Sequence, residues 1–203
     1  MKSIFLDTET TGLRPGQIVQ LTYIMEEDKK LIGVKNYFFA VDSVDPEAER
    51  VHGFSKEKLD ILSEGFTFEE LSEEIQEDFE GATLIAHNVK FDRKFIEAEF
   101  NKIFQLDGFS KDFCTMAYFS KILKIPAKNG GGYKNPKLEE VVDFYNIDRN
   151  QILKIANILF GCDDISFHDA RYDTAAMYMC CLKSKGRTKV ETVFGDECID
   201  IFE

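Results

Sequence analysis

The chain has 203 residues, 44% of them hydrophobic and 19 of them Phe, so it can fill the core of one ordinary domain and is not a disordered segment. No apolar run approaches the roughly 18 residues that span a bilayer, and Asp7 interrupts the N-terminal apolar stretch too early for a signal peptide, so a cytoplasmic protein with no membrane partner is expected. Five Cys, an odd number without C-x-x-C spacing, argue against a disulfide framework or a thiolate metal site.

In chain order, Lys2–Leu6 is a short apolar run that reads as a buried strand. Ile18–Met25 and Leu31–Ala40, rich in Ile, Val, Tyr and Phe and split by the charged turn Glu26–Lys30, join it as an antiparallel meander. Pro46–Val51 is a helical turn that Asp45 can cap, and Ser55–Leu59 is a second. Phe68, Leu71, Ile75 and Phe79 have helical spacing, with Thr67 and Glu70 placed for a capping box. Ala82–Ala86 reads as a strand, 89–103 as a helix, and Phe113–Leu123 as at least partly helical. Ile125–Pro136, with Gly130, Gly131 and Gly132 but no P-loop spacing, reads as a mobile loop. Helices follow around Leu138–Tyr145 and Gln151–Phe160, then a last one that Asp169 caps, and a strand-like Thr192–Phe194 near the end. The elements predict one α/β domain over 1–185 and a short acidic tail over 186–203.

A net charge of −12 argues at first against a nucleic-acid partner. Its distribution reverses that reading. Residues 41–80 hold fourteen acids and three bases, so this segment carries −11 and the remainder −1. Residues 115–138 hold Lys121, Lys124, Lys128, Lys134 and Lys137 and no acid. Either stretch reads as a solvated face or loop on its own. Together they predict an acidic face that points away from a polyanion and a basic one nearer to it.

Three clusters carry candidate chemistry. Asp7 and Glu9 end the first strand and share a face because strand side chains alternate. Two such carboxylates repel unless a divalent cation lies between them, and hard oxygen donors suit Mg²⁺ or Mn²⁺. Acids at strand ends are also ordinary. Asp92 falls in the first turn of a helix, where the dipole favours an acid in any case. His168 precedes the last helix and Asp173 lies inside it; a lone His there is commonly structural. As a set, four carboxylates and one His can hold two metals and remove a proton from water at neutral pH, which is the equipment for phosphodiester hydrolysis.

The motifs DTETTGL at 7–13, HNVKFD at 87–92 and HDARYD at 168–173, with weaker VHGF at 51–54 and YKNPKLEE at 133–140, resemble those of the DEDDh 3′–5′ exonuclease family. That family includes the proofreading epsilon subunit of bacterial DNA polymerase III, ribonuclease T and oligoribonuclease. The resemblance spans residues 1 to about 182 in the right order. It implies a ribonuclease-H-like mixed sheet, its first three strands antiparallel, with helices on both faces. It implies two divalent cations, Mg²⁺ or Mn²⁺: Asp7, Glu9 and Asp173 holding one, Asp7 bridging to a second supported by Asp92. His168 would be the general base. The backbone at Thr8 and Thr10 and the side chains of Asn88 and Phe91 would receive the terminal nucleotide, while His52 either lines that pocket or packs a turn. The activity implied is removal of nucleoside 5′-monophosphates from the 3′ end of single-stranded DNA, with RNA as the alternative polymer and a non-catalytic nucleic-acid-binding domain as the alternative class.

Several features stand beside the resemblance. Asp169 is read as a helix cap and not a ligand. Gln151–Phe160 aligns with nothing in the family; its role is left open, reshaping one wall of the cleft being one reading. Gln105–Phe109 faintly resembles a sliding-clamp-binding peptide but reads as a connecting loop. The short end after Thr188 lacks the long extension of a polymerase-tethered subunit, so polymerase association is expected to be loose. Lys128, Lys134 and Lys137 are expected near the nucleic-acid backbone.

Overall fold

Alternation along the first three strands decides how the sheet is covered. The computed structural model describes residues 1–14, 16–103, 111–128, 130–166, 169–193 and 198–202. Strands β1 (Lys2–Thr10), β2 (Ile18–Glu27) and β3 (Lys30–Phe38) form the antiparallel meander. β4 (Thr83–Ala86) runs parallel to β1, and β5 (Lys111–Cys114) parallel to β4, giving a five-stranded sheet in the order β3-β2-β1-β4-β5. Ile4, Leu6, Leu21, Tyr23, Leu84 and Ala86 face one side, where α3 (Phe68–Phe79) and α4 (Val89–Ile103) cover them. Phe5, Ile24 and Ile85 face the other, against α5 (Thr115–Leu123), α6 (Leu138–Phe144), α7 (Arg149–Phe160) and α8 (Ala170–Ser184). The result is the ribonuclease-H-like α/β arrangement with helices on both faces.

The caps fall where the sequence places them. Asp45 accepts the amide of Glu47 at 2.7 Å to start α1 (Pro46–His52), and Ser55 caps α2 (Lys56–Leu62). Glu70 accepts both the amide and the hydroxyl of Thr67 at 2.8 Å ahead of α3.

The tertiary structure refines three local readings. Phe113 belongs to strand β5, and the helix starts only at Thr115. A four-residue edge strand, exposed over most of its length, has no alternation to announce it; pairing with β4 creates it. Near the end, the strand is β6 (Lys189–Glu191), paired with β7 (Cys198–Asp200), while Thr192 bridges to Leu31 and Phe194 lies outside the described residues. Val190 and Ile201 are fully buried in the core beneath α8, and Arg187 forks onto Glu26 at 2.9 and 3.1 Å, so this segment is tied to the domain. Its bond from Val193 to the Leu31 carbonyl (3.1 Å) also covers the open edge of β3. Third, α7 inserts Ile152, Ile155, Ala156 and Leu159 into the core against α8 and β3. It is a packed layer, and none of its residues is among those that line the cleft described below. Gln105–Phe109 lies outside the described residues. Among the described residues no helix is long and apolar enough to cross a membrane.

Candidate active site

β1 delivers the first two acids. Asp7 and Glu9 point to the side of the sheet that α8 covers, beyond Phe5 on the same face. α8 places Asp173, its fourth residue, opposite them, and the three side chains offer carboxylate oxygens all within 4.8 Å of one another. Burial raises the Asp7 carboxyl well above the ordinary range, and Asp92, Asp173 and Glu9 raise it further. Burial, then Asp173, Asp169 and Asp92, push Glu9 up to about 9. Asp92 comes from the first turn of α4 and is 3% exposed. It accepts the Thr8 hydroxyl at 2.9 Å, and burial pushes it up to about 7 against the opposing pull of that bond and of nearby backbone amides. Thr8 is thus a link between β1 and the fourth acid.

Clustered, desolvated carboxylates are costly without counter-charge. The Arg171 guanidinium is committed to Asp169 and Asp164 instead. Hard oxygen donors at this spacing fit a divalent cation of the Mg²⁺ or Mn²⁺ type, and Asp7, Glu9 and Asp173 would hold it.

His168 lies outside the described residues, but its neighbour is firmly placed. Asp169 caps α8 through the Arg171 amide (2.9 Å) and takes the Arg171 guanidinium as a fork, 2.9 Å from Nε and 2.6 Å from Nη2. Gln20 of β2 donates to Asp169 at 2.9 Å and accepts the Ala170 amide at 3.1 Å. Asn36 of β3 accepts from both Gln20 (2.8 Å) and Thr22 (2.7 Å). This buried network was not anticipated. Its signal was legible: Gln20 and Thr22 are polar at period two within an apolar strand, directly across from Glu9 and Asp7.

A cleft of about 670 Å³ opens beside the acids, lined by Thr8, Glu9, Thr10, His52 and Phe91 among others. Gly12, Leu13 and Val51, which lie inside the sequence motifs without an assigned role, and Arg14, which lies outside them, also line it. So do Asp45 and Glu47, so the part of the acidic segment ahead of α3 reaches this cleft; Asp45 is drawn there because its amide bonds the Thr11 carbonyl at 2.9 Å. His52 both lines the cleft and packs a turn. Its Nδ1 accepts the Phe54 amide (3.0 Å), which leaves Nε2–H to donate to the Thr10 carbonyl (3.3 Å). Burial lowers its pKa, consistent with a neutral ring fully engaged with backbone. Phe91 packs on Phe95 with ring centres 4.9 Å apart and the planes tilted by 45°. Asn88 stands outside the lining, exposed and at φ 89° before α4. His87 is a tie: one ring nitrogen lies 3.0 Å from the Thr115 hydroxyl and the other 3.0 Å from the Pro136 carbonyl.

Comparison with known proteins gives one consistent answer. The family model described as RNase_T, Exonuclease, matches residues 4–178. DNA polymerase III subunit epsilon of Escherichia coli K12 is 28% identical over 159 residues, covering 74% of this chain and 63% of that protein. The epsilon subunit of Rickettsia conorii is 35% identical over 112 residues, covering 53% of this chain and 47% of that protein. The chain therefore spans between about half and two thirds of the length of these relatives. Among solved structures, exonuclease X in complex with 5′-overhanging duplex DNA superposes with a TM-score of 0.61 at 19% identity, covering 92% of this chain and 93% of that one. E. coli exonuclease I with a dA16 oligonucleotide gives 0.66 at 15% identity, covering 90% of this chain and 41% of that one. These two likenesses support the fold, and the match over residues 4–178 supports the family: the chain belongs to the DEDDh exonucleases.

Proposed function

We propose that the protein is a metal-dependent 3′–5′ exonuclease that removes nucleoside 5′-monophosphates from the 3′ end of single-stranded DNA. The observation that carries this reading is the convergence of Asp7, Glu9 and Asp173 within 4.8 Å beside the cleft that Thr8, Thr10, His52 and Phe91 line. Asp7, Glu9 and Asp173 would hold one divalent cation, and Asp7 with Asp92 would hold a second. When bound, the two ions supply charge stabilisation at the attacking and leaving oxygens of the phosphodiester. His168 takes the proton of the attacking water. Thr8 and Thr10 backbone, Asn88 and Phe91 receive the terminal nucleotide, and His52 fixes the cleft wall. The relatives named as DNA polymerase III subunit epsilon favour DNA as the polymer and association with a polymerase, and with that association a proofreading role in the cytoplasm.

The test is a 5′-labelled oligonucleotide of one sequence, made as DNA and as RNA, incubated with Mg²⁺ or Mn²⁺. The expected result is a stepwise ladder on the DNA. A faster ladder on the RNA would make the protein a 3′ exoribonuclease. Tight binding with no cleavage under either metal would leave only a nucleic-acid-binding domain.

A further inference from the structure

The segment between α5 and α6 is not a slack linker. Pro126 bridges Tyr133, the Ala127 amide bonds the Gly132 carbonyl at 3.1 Å, and the Lys134 amide bonds the Ile125 carbonyl at 2.9 Å. The chain therefore doubles back as a small hairpin. Its base is fixed twice: the Ser120 hydroxyl donates to the Lys134 carbonyl at 3.1 Å, and the Lys134 ammonium pairs with Glu140 of α6.

The root of this hairpin lies toward the same end of the sheet as the acids. Phe5 pairs with Ile85 and Ile85 with Phe113. Continuing both registers by two residues sets Asp7, His87 and Thr115 level at one end of the sheet. The Pro136 carbonyl lies 3.0 Å from the His87 ring, on the same face as Asp7. With strands about 4.8 Å apart, the root lies on the order of 10 Å from Asp7.

The hairpin carries the chemistry of a strand holder. Tyr133 is 54% exposed. Lys121, Lys124 and Lys128 are exposed and make no ion pair among the described residues, and Lys137 is exposed just before α6. No acid lies between residues 115 and 138. An aromatic face among exposed lysines suits stacked bases and phosphates of a single strand.

We propose that Tyr133, with Lys128 and Lys137, forms a second subsite that holds the nucleic-acid strand upstream of the 3′ end, stacking one base on Tyr133 and drawing its phosphates to the lysines. The assignment rests on the nuclease reading above, and its test separates the two. Tyr133→Ala, Tyr133→Phe and the double variant Lys128→Gln/Lys137→Gln are assayed on a dinucleotide and on a single strand of about 20 nucleotides, with binding of the long strand followed by fluorescence anisotropy. Tyr133→Ala should turn over the dinucleotide at the wild-type rate while its Kd for the long strand rises on the order of 10-fold. Tyr133→Phe should restore tight binding. The double lysine variant should lower the slope of log K against log salt by about 1.4, near 0.7 for each lost contact. Unchanged affinity and salt slope in these variants would overturn the subsite. Failure of the wild type to cleave either substrate would overturn the nuclease reading, while the anisotropy would still decide whether the hairpin holds the strand.

Discussion

Glu9, pushed up to about 9, and Asp92, pushed up to about 7, make the metal-free site a source of instability at neutral pH. A carboxyl whose folded pKa is raised above its ordinary value favours the folded state below that ordinary value and loses the contribution as pH rises through the folded one. The ordinary values here are 4.5 and 3.8, so thermal melts in chelator should show Tm falling between about pH 5 and pH 9. Saturating Mg²⁺ should flatten that decline, and Asp7→Asn should raise Tm in chelator at pH 8 while abolishing hydrolysis. A flat metal-free profile would contradict this account. His168→Ala should retain metal binding by calorimetry and lose on the order of 10²–10⁴ in rate; undiminished activity at pH 8 would remove the general-base role. Arg171 acts differently, by holding Asp169. Arg171→Ala leaves a buried carboxylate without its partner and should cost about 3–5 kcal/mol in urea unfolding. Arg171→Lys should recover only part, because an ammonium cannot reproduce the fork.

At the scale of elements, α7 shows how local rules and tertiary contacts divide the work. Periodicity announces the helix, and the structure adds its cap: Asp148 accepts the amides of Asn150 and Gln151 at 2.8 and 3.2 Å. Its partner surface, between α8 and β3, is set by the fold. Asp148→Ala should lower stability by about 1 kcal/mol without changing the rate on an oligonucleotide, since α7 is absent from the cleft lining. A fall in rate at unchanged stability would return α7 to the cleft wall. β5 is the opposite case. Lys111–Cys114 has no strand pattern of its own and exists because β4 offers a free edge.

Across the whole molecule, the charge of −12 is arranged, not spread. The acids of α3 lie toward the β2–β3 edge, where Lys35 bridges Glu74 and Asp78 at 2.6 Å each and the Tyr23 hydroxyl donates to Asp78 at 2.7 Å. The lysine hairpin follows β5 and α5 at the other end of the sheet. Exposed charges farther apart than about 10 Å are largely screened at 0.1 M salt. Changing Glu69, Glu73 and Glu77 to Gln should therefore alter KM for single-stranded DNA by less than about 2-fold at that ionic strength. A larger drop in KM would place α3 against the substrate.

The sequence by itself determined what stereochemistry repeats locally. Period two put Asp7 and Glu9 on one face, helical spacing with caps at Asp45, Thr67 and Asp169 located helices, and ordered motifs named the acids. Only the tertiary structure decided which distant groups meet. It carried Asp173 across the chain to Asp7, tied Gln20 and Asn36 to the start of α8, and drew Asp45 and Glu47 to a cleft that their charge suggested they would avoid. Those contacts depend on strand pairing and burial between residues far apart in the chain, which no periodicity within either segment encodes.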